Sequence, residues 1–427
     1  MHDQGLSPFD IAAILVLLAA ALGYVNHRFL KLPASVGMTL MGALASLAVI
    51  ALGAIFPHWG IAPTVEGFLV NIDFHKALME GMLSFLLFAG ALHVNWQEMH
   101  ANRLPIFILA TVGVLLSTAI VGGGIWWIAG LAGIALPFSW ALVFGALISP
   151  TDPVAVMAIL RRAAVPPSLQ ATVAGESLFN DGVGVVVFSI LLAVAMGQAE
   201  FSWTHAAGDF AREALGGAAF GALIGWIAFR AMRSIDEYTV EVTISLAVVM
   251  AGYSFAQMLH ISGPVAMAVA GLLIGNAGFA HAMSDVTRDY LIKFWLLIDE
   301  ILNAVLFLLI GLEVVLVSRQ PGLLLLGLAA IPLALAARWI SVSAPLAVLR
   351  RWTDLGPLTV PTLVWGGLRG GISIALALSL PASEFRAPIV AATFVIVLFA
   401  VIVQGGSIGG LVRRLAERNQ KAEPGAV

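Results

Sequence analysis

The sequence predicts a single all-α membrane domain over residues 1–427, with about thirteen transmembrane helices and inverted repeats that carry crossed, discontinuous helices. Hydrophobic residues make up 60% of the chain and charged residues only 11%, whereas about a quarter of the residues of an ordinary soluble domain are charged. The apolar residues form long runs, and a run of about 20 is enough to span a bilayer. Pro or Gly interrupts two of these runs at matching positions, which is typical of inverted-repeat transporters.

The composition also excludes other classes of protein. A net charge of −3 in so apolar a chain is incompatible with disorder, which needs low hydrophobicity and high net charge. No basic stretch indicates nucleic-acid binding. The chain has no Cys, and its nine His are scattered, so neither a disulfide framework nor a Cys or His metal centre is expected. We therefore expect membrane lipid around the protein, and no cofactor, nucleic-acid partner or separate soluble domain.

Thirteen apolar runs define spans 1 to 13. They begin near Phe9, Pro33, Phe74, Leu104, Phe138, Gln170, Gly208, Tyr238, Pro264, Phe294, Gly322, Leu355 and Ala387. With the N-terminus outside, the inner loops and C-terminal tail hold fifteen of the 21 Lys and Arg residues, and the outer loops hold four. Because short cytoplasmic loops carry the excess of Lys and Arg, this asymmetry predicts a cell (inner or plasma) membrane protein with its N-terminus outside and its C-terminus in the cytoplasm.

Ionisable residues lie inside several spans, where they are costly and usually mark a functional site. They are Glu80 in span 3, Asp152 in span 5, Glu176 and Asp181 in span 6, Asp299, Glu300 and Glu313 in span 10, Arg338 in span 11 and Arg369 in span 12. Most are acids, which predicts a cationic cargo. On their own, Glu80, the three acids of span 10 and Arg338 are interpreted as interfacial or structural residues. No more specific role is assigned to the three span-10 acids or to Arg338.

Spans 5 and 12 are predicted to be broken helices. In span 5, Pro150 and Pro153 remove backbone donors in the middle of an apolar run. In span 12, two pairs of Gly flank Arg369 and weaken the helix. Such breaks are tolerated at membrane depth where they line a cavity or are buried in protein, and the freed helix ends can bind ions. Thr151 and Asp152, at the first break, fit equally well as caps of the following half-helix and as cavity-lining residues.

Span 6 carries two polar ridges in the segment GESLFNDG. Ser177 and Asp181 are four residues apart and share one face, and Glu176 shares a neighbouring face with Asn180. We interpret Asp181 as an ion ligand rather than as a buried structural cap, because other polar residues accompany it and a broken span lies nearby in sequence. An unpaired Glu176 would be costly to bury, so Arg369 is its expected partner, in a structural ion pair rather than in cargo binding.

Five segments follow one another in spans 3, 5, 6, 10 and 12: EGMLSFLLFAGALHV, SPTDPVAV, GESLFNDGVGVVVF, FLLIGLE and GGLRGGISIALALSLP. In their order and spacing they resemble the monovalent cation:proton antiporter family, in its bacterial Na⁺/H⁺ exchanger branch with an electroneutral Asn-Asp pair. The resemblance covers nearly the whole chain. It implies a thirteen-helix antiporter fold, a six-helix core that moves against a dimerisation domain, and a homodimer.

The resemblance also implies roles for individual residues. It places the transported ion and the proton on Asp181, with Asn180 beside it. Further oxygen ligands for Na⁺ would come from Ser177, Thr151 and the acid of span 3, Glu80. Glu176, of the GES segment, would pair with Arg369, of the glycine-rich span. An Asn in place of the first Asp of the pair implies electroneutral exchange of one cation for one proton.

Together these observations predict an antiporter, not an enzyme, that exchanges Na⁺ or Li⁺ for H⁺ and serves pH homeostasis. A proton and a metal ion would compete for Asp181, and a neutralised site crosses between access states more readily than a charged one. K⁺/H⁺ exchange is the first alternative, and a cation channel with an acidic cavity is the second. An intramembrane enzyme would need a base near Ser177, and none lies at a usable spacing.

Overall fold

The computed structural model describes residues 8–56, 58, 65, 82–153, 156–157, 160, 165–198, 203–279, 282–312, 321–351, 356 and 358–422. Every regular element within these ranges is a helix, and the one pairing of extended backbone there is an isolated β-bridge. The predicted all-α class is therefore confirmed.

The helices of these ranges are numbered in chain order. They are α1 (Pro8–Val25), α2 (Ala34–Ile55), α3 (Leu83–Leu92), α4 (Trp96–Ala101), α5 (Arg103–Leu131), α6 (Phe138–Ile148), α7 (Pro167–Ala195), α8 (Trp203–Met232), α9 (Tyr238–Met258), α10 (Gly263–Leu273), α11 (Asp285–Leu312), α12 (Pro321–Leu349), α13 (Thr359–Trp365), α14 (Gly371–Leu378), α15 (Arg386–Phe399) and α16 (Gly405–Ala422). A π-helical turn, Ala400–Gln404, joins α15 to α16.

Nine helical segments in this part of the chain are long and apolar enough to cross a membrane. Helices α3, α6 and α10 are shorter apolar segments. Helix α3 begins within span 3, and α6 stops at the predicted break of span 5. Each predicted span coincides with a helix, and span 12 coincides with the pair α13 and α14, so the prediction of a polytopic membrane protein is confirmed.

Both predicted breaks are present, and they lie against each other. Helix α6 ends at Ile148, two residues before Pro150, because the proline cannot continue the helical hydrogen bonds. Span 12 is divided into α13 and α14 by a segment rich in glycine. The backbone N–H of Asp152 donates to the carbonyl of Leu368 at 2.9 Å, which forms an antiparallel bridge between the two broken segments. The predicted crossing of discontinuous helices is confirmed.

Helix α11 is held tightly against α2 through small residues. A Cβ atom on Gly42 or Gly311 would collide with the backbone of the facing helix. Two hydroxyls add hydrogen bonds across this contact, from Thr39 Oγ1 to the carbonyl of Phe307 at 3.2 Å and from Ser46 Oγ to the carbonyl of Leu312. Close contact through small residues is typical of helices in membranes. It fixes α11, which forms one wall of the cavity described below.

Candidate functional site

Arginine side chains cap the helix ends that the two breaks expose. Arg369, in the second break, donates from Nη1 to the carbonyls of Ser149 and Pro150 at 2.6 and 3.0 Å, just beyond the end of α6. Arg338 of α12 donates from Nε to the carbonyl of Leu363 in α13 at 3.1 Å. The carbonyl end of a helix carries a partial negative charge, so a buried cation is favourable there.

Glu176 of α7 forms a bidentate ion pair with Arg338. The Nη1–Oε1 and Nη2–Oε2 distances are 2.7 and 2.9 Å, and Glu176 is only 1% exposed. The predicted pairing of Glu176 with Arg369 is therefore wrong. The physical reason is that the Arg369 guanidinium turns to the carbonyls at the end of α6, while Arg338 reaches Glu176 from α12. The sequence also contained an indication that Arg338 is paired, because a single Arg inside an apolar span needs a partner as much as Arg369 does.

Asn180 links the first broken segment to Glu176 through its amide. Its Nδ2 donates to Thr151 Oγ1 at 2.8 Å and to Glu176 Oε1 at 3.0 Å, and its Oδ1 accepts from the backbone N–H of Thr151 at 3.3 Å. The hydroxyls of Thr151 and Ser177 are 3.1 Å apart. This side of α7 is therefore a closed network of hydrogen bonds.

Asp181 lies at the edge of that network and faces a cavity. Its side chain is 6% exposed, and the cavity in whose wall it lies has a volume of about 760 Å³. The charged side chains with the strongest electrostatic effect on Asp181 are Asp152 and Glu176, and both are acids. Asp181 is therefore a buried carboxylate whose nearby charges do not compensate its own, and a cation or a proton would neutralise it.

The predicted site residues divide into two groups around this cavity. Thr151 and Asp152 lie in its wall with Asp181, while Ser177 and Asn180 are buried behind Thr151. Thr151 thus lines the cavity, while its hydroxyl contacts Asn180 and Ser177 behind the wall. Two residues assigned or considered from the sequence, Glu80 and Glu313, lie outside the described residues.

Sequence reasoning missed Asn303 and Gln404, and it interpreted Asp299 and Glu300 as interfacial or structural rather than as residues of a cavity wall. Asp299, Glu300 and Asn303 of α11 line the cavity, and Asn303 Nδ2 donates to Asp299 Oδ1 at 3.0 Å. Their four-residue spacing was the available signal, because residues i and i+4 share a helix face. Gln404, in the π-helical turn between α15 and α16, donates to the carbonyl of Trp365 at the end of α13 at 3.1 Å. No sequence pattern marked Gln404.

The cavity lies on one side of the crossing. Along α7 it is lined by Ala174, Leu178 and Asp181. These residues lie in the first half of the helix, which ends at Asp181 of the Asn-Asp pair. Beyond Asp181, Phe188 of the same helix belongs to a buried apolar cluster with Phe144 of α6 and other residues of α5, α12, α14 and α15. Asp181 thus borders a cavity, and an apolar cluster follows further along the same helix.

Broken helices that cross inside the membrane, capped by buried arginines and bordered by an uncompensated carboxylate, define a secondary transporter with a buried cation site. Comparison with known proteins gives the family. The family model for the transmembrane region of sodium/hydrogen exchangers matches residues 14–414. The chain belongs to this sodium/hydrogen exchanger family.

Individual relatives match over most of their length. The chain is 46% identical over 412 residues to the Na⁺/H⁺ antiporter NhaP of Pseudomonas aeruginosa, covering 95% of this chain and 96% of the relative. It is 30% identical to the Na⁺/H⁺ antiporter NhaH of Halobacillus dabanensis, covering 94% and 97%. The structure of the sodium proton antiporter MjNhaP1 from Methanocaldococcus jannaschii at pH 8 superposes with a TM-score of 0.68 at 21% identity, covering 94% of this chain and 97% of that one, and so shows the same fold.

Proposed function

We propose that this protein exchanges Na⁺ or Li⁺ for H⁺ across the membrane, one for one, through competition for the Asp181 carboxylate. The observation that carries the proposal is the position of Asp181, buried at the crossing of two broken helices and in the wall of a cavity. The relatives named as Na⁺/H⁺ antiporters support the choice of cargo.

The charges at the crossing support a one-for-one stoichiometry. Arg338 and Arg369 contribute two positive charges, and Glu176 and Asp152 contribute two negative charges, so these four balance when all are ionised. Asp181 adds a fifth, unbalanced charge. One bound proton or one bound Na⁺ cancels this fifth charge, so both loaded forms carry the same charge.

Antiport follows from the cost of moving an unbalanced charge. A charged group is expensive in the hydrocarbon region unless it is paired. The empty, ionised site is therefore hindered from crossing, whereas the protonated and the Na⁺-bound sites can both cross. Because the two cargoes use the same carboxylate, each crossing carries one or the other, and the protein needs no separate coupling device.

The available ligands fit a hard monovalent cation. Asp181 and Thr151 share the cavity wall, and the carboxylate and hydroxyl oxygens that they carry suit Na⁺ and Li⁺. Ser177 supports Thr151 from behind at 3.1 Å. On the resemblance alone, Glu80 would add a second carboxylate to this set.

The distribution of Lys and Arg orients the structure in the membrane. His27, in the turn after α1, and His93, just after α3, line the cavity. With the N-terminus outside, both residues lie on the cytoplasmic side, so the cavity opens to the cytoplasm and the apolar cluster beyond Asp181 closes the outer side. We propose this inward-open state for a homodimer in the cell membrane.

Proton flux in proteoliposomes tests the proposal. A Na⁺ gradient should drive H⁺ movement that persists when the membrane potential is clamped, and Asp181→Asn should abolish it while the protein still folds. Asp289→Asn is the matched control, because Asp289 is an exposed acid of α11 that pairs with Lys293 at 2.6 Å; this variant should transport normally.

Four outcomes would contradict parts of the proposal. Substantial exchange in Asp181→Asn would overturn the site, and net charge movement in each cycle would overturn the stoichiometry. Exchange driven by K⁺ in preference to Na⁺ and Li⁺ would overturn the choice of cargo. Single-channel currents would replace the antiporter with a channel.

A further inference from the structure

A second buried carboxylate lies away from the cavity. Glu241 is in the first turn of α9 and is fully shielded from solvent. Within the described residues, neither of its carboxylate oxygens has a hydrogen-bond partner. An ionised carboxylate without a partner is costly to bury, so a bound cation or a proton has to neutralise it.

Other oxygen atoms connect Glu241 to the surface. The hydroxyl of Thr287, near the start of α11, faces the Glu241 carboxylate without reaching hydrogen-bond geometry. Ser284 Oγ lies 3.4 Å from Thr287 Oγ1 and donates to Asp236 Oδ1 at 2.7 Å. Asp236 is exposed in the loop between α8 and α9. Two hydroxyls therefore lie between a buried carboxylate and an exposed one.

Two nearby basic side chains of α11 have other contacts. The Arg288 guanidinium lies over the ring of Phe279, 5.3 Å from its centroid. Lys293 pairs with Asp289 of the same helix at 2.6 Å. Neither of these contacts involves Glu241.

We propose that Asp236, Glu241, Ser284 and Thr287 bind a hard divalent cation. The donors are all oxygens, which Ca²⁺ and Mg²⁺ prefer, and the two carboxylates match the charge of a divalent ion. Water molecules would complete the coordination on the exposed side, at Asp236. The site is separate from Asp181 and does not depend on the cargo proposed above.

The bound ion would join two connections on one face of the protein. Asp236 belongs to the loop between α8 and α9, and Ser284 directly precedes α11. Helix α11 also carries Asp299 and Asn303 into the wall of the cavity. A cation at its start would fix this helix against α9, so the site would be a structural or regulatory one.

Terbium luminescence on the purified full-length protein tests the site. Tb³⁺ is a luminescent substitute for Ca²⁺, and the stacked rings of Tyr238 and Tyr290 can sensitise it, since each lies three residues from a proposed ligand. We expect saturable emission that Ca²⁺ or Mg²⁺ displaces and Na⁺ at equal concentration does not. The ion that displaces Tb³⁺ at the lower concentration is the cation that the site prefers.

Substitutions distinguish this site from adventitious binding. Removing a carboxylate ligand should weaken Tb³⁺ binding about tenfold or more in Glu241→Gln, and to a smaller degree in Asp236→Asn. Glu237→Gln is the matched control, because Glu237 is an exposed acid of the same loop; its binding should be unchanged. Absence of saturable emission, displacement by Na⁺ but not by Ca²⁺ or Mg²⁺, or unchanged binding in both Glu241→Gln and Asp236→Asn would overturn the proposal.

Discussion

The two polar faces of α7 differ in how the fold treats a buried acid. On one face, Glu176 accepts two hydrogen bonds from Arg338 and one from Asn180. On the other face, Asp181 borders a cavity, and the charged residues that act on it are acids. The first acid is fully paired and holds the crossing together, and the second is left for a cargo cation. The difference separates variants that should damage the fold from variants that should damage transport.

The largest effect on stability is expected when the paired face loses its cation. Arg338→Met leaves Glu176 buried without its bidentate partner, and breaking one side of a buried ion pair costs about 3–5 kcal/mol. We expect a large drop in Tm in detergent, or little folded protein. Arg350→Met, at an exposed arginine beyond the end of α12, is the control and should leave Tm unchanged.

Removing both charges sharpens that prediction. In the double variant Arg338→Met, Glu176→Gln no unpaired charge remains, so Tm should recover part of the loss. If the single variant kept the Tm of the unmodified protein, the ion pair would have no structural role and the contrast between the two faces would fail.

An acid in place of Asn180 is expected to act mainly on stability. Asn180→Asp removes both hydrogen bonds that Nδ2 donates, to Thr151 and Glu176, and places a further acid beside Glu176. Leaving buried groups unsatisfied costs about 1–3 kcal/mol for each group. The family resemblance associates an Asp at this position with electrogenic exchange. Because Asn180 lies behind the cavity wall, we expect instead a lower Tm with exchange that remains electroneutral.

Potential-dependent flux measurements provide the check on Asn180→Asp. Proton flux driven by Na⁺ should be the same with and without an imposed membrane potential. Charge movement in this variant would mean that residue 180 carries a transported proton, and it would then belong to the cavity face of α7 rather than to the paired face.

The smallest difference is expected between two hydroxyls at the edge of the site. Thr151 lies in the cavity wall and also accepts from Asn180, whereas Ser177 contacts Thr151 from behind. Thr151→Ala should therefore raise the KM for Na⁺ more than Ser177→Ala does. A lost neutral hydrogen bond is worth about 1 kcal/mol, or roughly a fivefold change. A larger KM increase for Ser177→Ala would place Ser177 among the direct ligands.

The sequence predicted the breaks well because their causes are local. Pro150 cannot donate a backbone hydrogen bond in any fold, and the glycine pairs around Arg369 weaken a helix wherever they lie. The helical spacing of Ser177 and Asp181 was also local. These features were sufficient to place the crossing and the acidic residue beside it.

The partner of Glu176 could not be predicted from local sequence features. Glu176 and Arg338 are 162 positions apart, and the sequence offers two buried arginines of equal charge as partners. The choice between them depends on the orientation of α12 and on which arginine meets the carbonyls at the end of α6. Likewise, the boundary of the cavity depends on how the broken segment covers Ser177, which helical periodicity does not contain.

Proton release on Na⁺ binding tests the central claim most directly. Purified protein is titrated with NaCl at a pH where Asp181 is protonated, and the released protons are counted by calorimetry in buffers of different ionisation enthalpy. Competition predicts close to one proton released for each Na⁺ bound, with neither binding nor release in Asp181→Asn. Saturable Na⁺ binding without proton release would contradict the claim that both ions use the same carboxylate.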